Sequence, residues 1–209
     1  MPRTQEGLAR LIEREHLRDE RIVDAFRDVD RADFVPEGLR GHAYRDRPVG
    51  LPEDQTTSQP SLIARMIDVA RPGPGDRVLE VGTGYGFQTA LLAKLTAHVT
   101  SIERHPNLAS AAKSNLMRAE LDNVEVIVGD GWAGDPSHAP YDVIVVSAAA
   151  DEIPRALVEQ LADGGRLVIP LRERTGDNVY LFEKRAGDLR QVSLVTPARF
   201  VPLVRPGNG

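Results

Sequence analysis

Apolar positions recur at two different spacings along the chain, and the change between them divides it. Over residues 4–27, Leu8, Leu11 and Ile12, then Ile22, Val23 and Phe26, follow the spacing of an amphipathic helix, with Asp19 as an N-cap between two segments. Residues 28–57 lose that period. Pro36, Gly38, Gly41, Pro48, Gly50 and Pro52 interrupt it, and a long irregular stretch in a compact domain is usually functional or flexible. A third helix is expected from Pro60, a favourable first-turn residue, with Leu62, Ile63, Met66, Ile67 and Ala70 on one face.

From "RPGPGD" onward, short apolar runs alternate with helical periods. Strands are expected at 77–81 (RVLEV), 98–103 (HVTSIE), 123–128 (NVEVIV), 141–148 (YDVIVVSA) and 166–171 (RLVIPL). Helices are expected at 87–95, at 106–119, and from Pro154 to a stop at Gly164–Gly165. Near-continuous Val, Ile and Leu in these strands implies burial on both faces, hence an α/β, doubly wound, mostly parallel sheet. "NVYLFEK" and "QVSLVTPARFVPL" have no helix between them, so they add an antiparallel C-terminal edge hairpin and bring the sheet to seven strands.

Composition narrows the function classes. At 209 residues, with 41% hydrophobic and 27% charged residues, the chain suits one soluble globular unit. Net charge is −5 and no Lys/Arg run forms a phosphate-tracking stripe, so no nucleic-acid partner is expected. The absence of cysteine excludes disulfides and thiolate chemistry. The charged N-terminus lacks a signal-peptide core, and "VIVVSAAA" is too short to span a bilayer. A cytoplasmic monomer with no membrane association is expected.

"EVGTGYG" follows the first strand of the sheet and opens the next helix. Gly82, Gly84 and Gly86 permit a tight turn and a close ligand approach. A dinucleotide fingerprint would need glycine where Phe87 stands, which favours S-adenosyl-L-methionine, whose amino-acid end needs no pyrophosphate cradle. Taken alone, the loop is equally a structural turn. Glu103, at the end of the second strand, stands where an acid reads ribose hydroxyls. Asp130 and Gly131, after the third strand, add an acceptor for an adenine amino group and room for its ring. Five scattered histidines (His16, His42, His98, His105 and His138) suggest neither a His–Asp pair nor a metal cluster, and no metal site is expected. After the fourth strand, "SAAADEIP" lacks the tetrapeptide and aromatic clamp of a nucleic-acid amine methylase. A carboxylate acceptor, already ionised, suits a site without a strong base.

From about residue 28 to residue 204 the chain resembles the protein L-isoaspartate O-methyltransferase family. The resemblance rests on "DRADFVP", "AYRDRPVG", "QTTSQPSLIARM", "VLEVGTGYGFQTALLA", "NVEVIVGDG", "APYDVIVVSAAADEIPRALVEQLADGGRLVIPL" and "RFVPL". It implies a Rossmann-like methyltransferase with a helical N-terminal extension, which esterifies the α-carboxyl of L-isoaspartyl residues in proteins or peptides and so leads to succinimide and repair. Residues 1–59 would then form the N-terminal helices and a substrate-side loop, and residues 60–209 the methyltransferase domain of a single unit.

By resemblance Ser58 is the candidate catalytic residue; a helix cap is the second role open to it. The candidate substrate residues are Thr57, Ser58, Gln59 and Ala148. The candidate cofactor residues are Thr56, Thr57, Glu80, Gly82, Thr83, Gly84, Gly86, Glu103, Arg104, Asp130 and Gly131. Two stretches depart from the family pattern, "VGLPEDQT" with Glu53 and Asp54, and "PLRERTGDN" with Arg172, Glu173 and Arg174. Both are expected to flank the peptide site. They keep open a dedicated enzyme that methylates an aspartate in a ribosomally made peptide. A non-catalytic cofactor-binding module and a nucleic-acid methyltransferase stay open as well, the latter against the acidic balance and the missing clamp.

Overall fold

The computed structural model describes residues 2–205; Met1 and residues 206–209, the outer ends of the two expected segments, lie outside them. Helix α1 (Gln5–Glu13) is capped by Thr4, whose hydroxyl accepts from Gly7 N, and α2 (Glu20–Asp28) by Asp19, in line with its sequence position. The Asp68 carboxylate of α3 (Pro60–Ala70) accepts from Arg18 N and Asp19 N, fastening the joint between α1 and α2 to the main body. The irregular segment resolves into two 3-10 turns, Arg31–Phe34 and Glu37–His42, and a short antiparallel pair, β1 (Val49–Gly50) with β2 (Thr56–Thr57).

The main sheet is built from β3 (Arg77–Val81), β4 (His98–Glu103), β5 (Val124–Val128), β6 (Tyr141–Val146), β7 (Leu161–Glu173), β8 (Gly176–Arg185) and β9 (Asp188–Ala198). Their order is β5-β4-β3-β6-β7-β8-β9, parallel through β7 and antiparallel for β8 and β9. The connections reverse direction between β3 and β6, the switch point where open α/β sheets bind ligands. Helices α1–α3, α4 (Phe87–Leu95) and α5 (Pro106–Arg118) supply the core residues of one face, among them Phe26, Ile63, Met66 and Leu91 against Val78, Val99 and Val145. Each such side chain contributes about 1.5–3 kcal/mol by leaving water. The other face, with Leu79, Ile144, Leu167 and Ile169, is covered by α6 (Arg155–Gln160) and Trp132.

Two boundaries differ from the sequence expectation. Helix α6 ends at Gln160, not at the glycine pair, because the Gln160 amide turns inward to accept from Asp135 N and donate to Ala133 O. Leu161 then already pairs with Tyr141, while Arg166 pairs with Val143, so Gly164 and Gly165 sit in a bulge inside β7. Gly164 has φ +80°, a conformation that suits glycine. The second difference is at the C-terminus. "RFVPL" is not strand: Phe200 N donates to Asp177 Oδ2, and the chain leaves the sheet and crosses the ends of β3 and β6, bonding Ala149 at Val201 and Leu203.

Candidate active site

One wall of the site is made at the C-terminal ends of β3, β4 and β5. Gly82, Gly84 and Gly86 all have positive φ, and a Cβ on Gly84 would press on Leu51 of the opposite wall at 3.2 Å. Thr83, itself buried, turns its hydroxyl onto Ser101 at 2.6 Å. Glu103 is held by two main-chain donors, Gly84 N to Oε2 at 2.8 Å and His105 N to Oε1 at 3.0 Å. Each oxygen keeps a lone pair for a ligand. Asp130 accepts from Trp132 N. At Gly131 a Cβ would lie 2.4 Å from Val81 Cγ1, so the turn there admits no side chain.

The opposite wall, Gln55–Ser58, has little regular structure, and two polar residues remote in sequence hold it. Arg31 is fully buried without a carboxylate partner among the described residues. Its guanidinium donates to four carbonyls, those of Ala43, Arg45, Arg47 and Ser58, and packs 5.6 Å from the Phe87 ring centroid. Burial lowers its pKa to about 10, with nearby Asp46 opposing the shift. Asp46 takes the capping role that the sequence left open for Ser58: it accepts from Ser61 N, the Ser61 hydroxyl and the Gln59 amide. The N-cap position of α3 is Gln59, which makes no side-chain cap bond. Ser58 is therefore pinned by its carbonyl and left with its hydroxyl uncommitted to the helix.

Between these walls lies a cleft of about 940 Å³, its mouth included, roofed by Val201–Val204. A second depression, of about 1130 Å³, opens beside it along α3 and the end of β9. Thr56, Ser58, Ser147 and Val201 line both. Of the candidate residues, Thr56, Thr57, Ser58, Gly82, Thr83, Gly84, Glu103, Arg104, Asp130, Gly131 and Ala148 line the first cleft. Gln59 lines only the second.

Glu80 and Gly86 do not reach the surface of either. Glu80 is fully buried beneath the glycine turn, bonded by Gln88, Thr89 and Ser101, and burial pushes its pKa up to about 7. Gly86 packs on Leu116 of α5.

The two charged segments supply none of the lining, and one expectation is corrected. Glu53, Asp54 and the Arg172–Arg174 turn line neither cleft. Glu53 accepts from Asn107 Nδ2 at the surface, and Arg172 pairs with Asp151 and Asp177. Both departures belong to exposed hairpin ends, the first between β1 and β2 and the second between β7 and β8. A His–Asp pair does exist: His138 Nδ1 meets Asp135 Oδ2 at 2.6 Å. Three residues apart, the two meet across one turn before β6, outside both clefts. Among the described residues no cluster could hold a metal ion, and no helix is long and apolar enough to cross a membrane.

Several site residues had no role from sequence. Arg31 and Asp46 lie inside "DRADFVP" and "AYRDRPVG", stretches that carry the family resemblance but no chemical motif of their own. Gln88, Ser147 and Val201–Val204 carry no chemical motif of their own; the first turn of α4, the end of β6 and the returning C-terminus bring them to the cleft.

Comparison with known proteins agrees with this geometry. The model of the protein-L-isoaspartate(D-aspartate) O-methyltransferase family matches residues 3–207. A protein-L-isoaspartate O-methyltransferase of Methanoculleus marisnigri is 47% identical over 89% of this chain and 84% of its own length. One from Halorhodospira halophila is 44% identical over 97% and 92%. A solved protein-L-isoaspartate O-methyltransferase superposes with a TM-score of 0.86 at 29% identity, covering 98% of this chain and 66% of the other. A Plasmodium falciparum structure, described as a putative protein-L-isoaspartate O-methyltransferase in complex with S-adenosyl-L-homocysteine, gives 0.84 at 26% identity, over 97% and 99%. The chain belongs to the protein-L-isoaspartate(D-aspartate) O-methyltransferase family.

Proposed function

We propose that this protein is an S-adenosyl-L-methionine-dependent carboxyl methyltransferase that esterifies the α-carboxyl of L-isoaspartyl residues in proteins and peptides. One observation carries the reading: the hydroxyl-bearing loop Thr56–Ser58 faces the glycine turn at the point where the first cleft meets the second, and Ser58 is spared from capping by Asp46. The first cleft suits the cofactor. Its turn has no room for a Cβ at Gly131, Glu103 offers lone pairs to a diol, and Ile102, Leu108 and Leu203 give it an apolar lining.

When bound, S-adenosyl-L-methionine would supply a methyl carbon on a positively charged sulfur, and its transfer to a carboxylate oxygen leaves a neutral thioether and a neutral ester without moving a proton. The chain therefore needs no general base, and Thr56, Ser58, Ser147 and Val201 at the junction include none. What its residues contribute is alignment and exclusion of water. Thr56, Thr57 and Ser58 orient the acceptor, while Val201–Val204 cover the cleft. The second depression admits a peptide backbone, which places the isoaspartyl carboxyl at Ser58.

The reading in which the charged departures select a dedicated peptide loses its support, because those residues stand outside both clefts. Three short peptides with labelled S-adenosyl-L-methionine provide the test. Base-labile methyl is expected on two unrelated isoaspartyl peptides and not on the aspartyl twin of one. Labelling of a single sequence only, or of none, would overturn general repair.

A further inference from the structure

Ser147 lines both clefts, yet nothing so far assigns it a task. We propose that Ser147 is a second carboxylate-binding hydroxyl, donating to one oxygen of the substrate carboxyl from the wall opposite Ser58, and that Gln88 is its positioning residue. The inference rests on the carboxyl methyltransferase reading above.

Ser147 is the first residue beyond β6, at the switch point, where its N–H donates to Val81 O at 2.8 Å. Its side chain stands against the glycine turn: a Cβ on Gly82 would lie 3.4 Å from the Ser147 Cβ. It therefore sits where the first cleft meets the second. The Gln88 side chain fixes its direction. Gln88 Nε2 donates to Glu80 Oε1 at 2.9 Å and to Ser147 Oγ at 2.9 Å, using both amide hydrogens. The fully buried Glu80 is a strong reason for the amide nitrogen to face this way. With its oxygen accepting from Gln88, the Ser147 hydroxyl has one hydrogen left to give, and the junction is where it can give it.

The residue type suits the chemistry. A carboxylate accepts hydrogen bonds at two oxygens; if hydroxyl donors hold one, the other stays free to attack. Neutral donors also orient the group without cancelling the charge that makes it a nucleophile, as an Arg or Lys would. Thr56, Ser58, Ser147 and Val201, the four residues common to both clefts, include no cation.

The test uses the full-length protein with S-adenosyl-L-homocysteine and an isoaspartyl hexapeptide. In Ser147→Ala, calorimetric titration of the peptide into the S-adenosyl-L-homocysteine-loaded protein should show binding weakened about tenfold or more, the value of a hydrogen bond to a charged group. The peptide KM should rise in parallel, while the affinity for S-adenosyl-L-homocysteine and the thermal midpoint stay unchanged. Ser147→Thr, which keeps the hydroxyl, should restore peptide binding. Unaltered peptide affinity in Ser147→Ala would overturn the inference. So would weakened S-adenosyl-L-homocysteine binding with peptide affinity retained, which would make Ser147 a cofactor residue. In both cases wild-type turnover on the isoaspartyl peptide would leave the parent reading standing; wild-type silence would overturn both.

Discussion

The two walls of the cleft are built by different means. The glycine wall is a set of strand ends. Gly82–Gly86 follow β3, Glu103 ends β4, and Asp130 lies two residues beyond β5, so the sheet that forms the core also delivers them to one edge. The facing wall, Gln55–Ser58, follows no element of that kind. It is held by Arg31, bridging four carbonyls from inside the core, and by Asp46, capping a helix it does not belong to. The difference teaches that a position set by local rules can be stated from spacing, whereas a position set by a remote side chain needs the chain folded. The proposed roles divide in the same way, with the first wall assigned to the cofactor and the second to the acceptor.

The largest expected effect breaks the second wall alone. Arg31→Met removes the donor to four carbonyls and should cost about 4 kcal/mol in urea unfolding, since each buried acceptor left unpaired is costly. Methyl transfer should be lost while the folded fraction keeps its affinity for S-adenosyl-L-homocysteine. Parallel loss of both would show that the walls are not separable.

Next comes the floor of the first wall. Glu80 has a folded pKa of about 7 against 4.5 in the unfolded chain, because burial disfavours its charge. The folded protein thus holds a proton that the unfolded chain has released, and the linked contribution to stability is present below pH 4.5 and lost as pH rises to about 7. Its size is about 3 kcal/mol. Glu80→Gln should remove that slope from a series of unfolding measurements across the window; an identical slope in the variant would place the titration elsewhere.

A smaller effect is expected from Glu103→Ala. Losing a charge-assisted acceptor should weaken S-adenosyl-L-homocysteine binding by about 2 kcal/mol, or about 30-fold, with peptide affinity preserved. Unchanged cofactor affinity would remove Glu103 from the first wall's function. The smallest stability change belongs to Ser58→Ala. Because Asp46 does the capping, unfolding free energy should move by less than about 0.5 kcal/mol, while turnover falls about tenfold. A drop in stability matching the loss of turnover would return Ser58 to a structural role.

Legibility followed the same division. Apolar periodicity placed β3, α4, β4, α5 and β5, and the spacing of glycines and acids placed the ligand side of the sheet edge. It erred where side chains decided the backbone, as at Gln160, whose amide ended α6 early, and at Phe200, where Asp177 turned the chain away from β9. The pair His138–Asp135 was missed for a related reason, since a three-residue separation becomes a contact only when the turn closes. The two charged segments, Glu53–Asp54 and Arg172–Arg174, were placed near the site because they neighbour it in sequence. Both lie on exposed hairpin ends and line neither cleft.

By itself the sequence determined the order of elements, the parallel sheet, the glycine turn with its acids, and the family. These depend on periodicity and on residues within a few positions of each other, where backbone sterics and burial leave little freedom. Only the tertiary structure decided that Asp46 rather than Ser58 caps α3, that Arg31 ties the loop down, and that Ser147 and the C-terminal segment line the same clefts as Ser58. Each of these arrangements joins residues apart in the chain, and only packing of the core selects which of them are brought together.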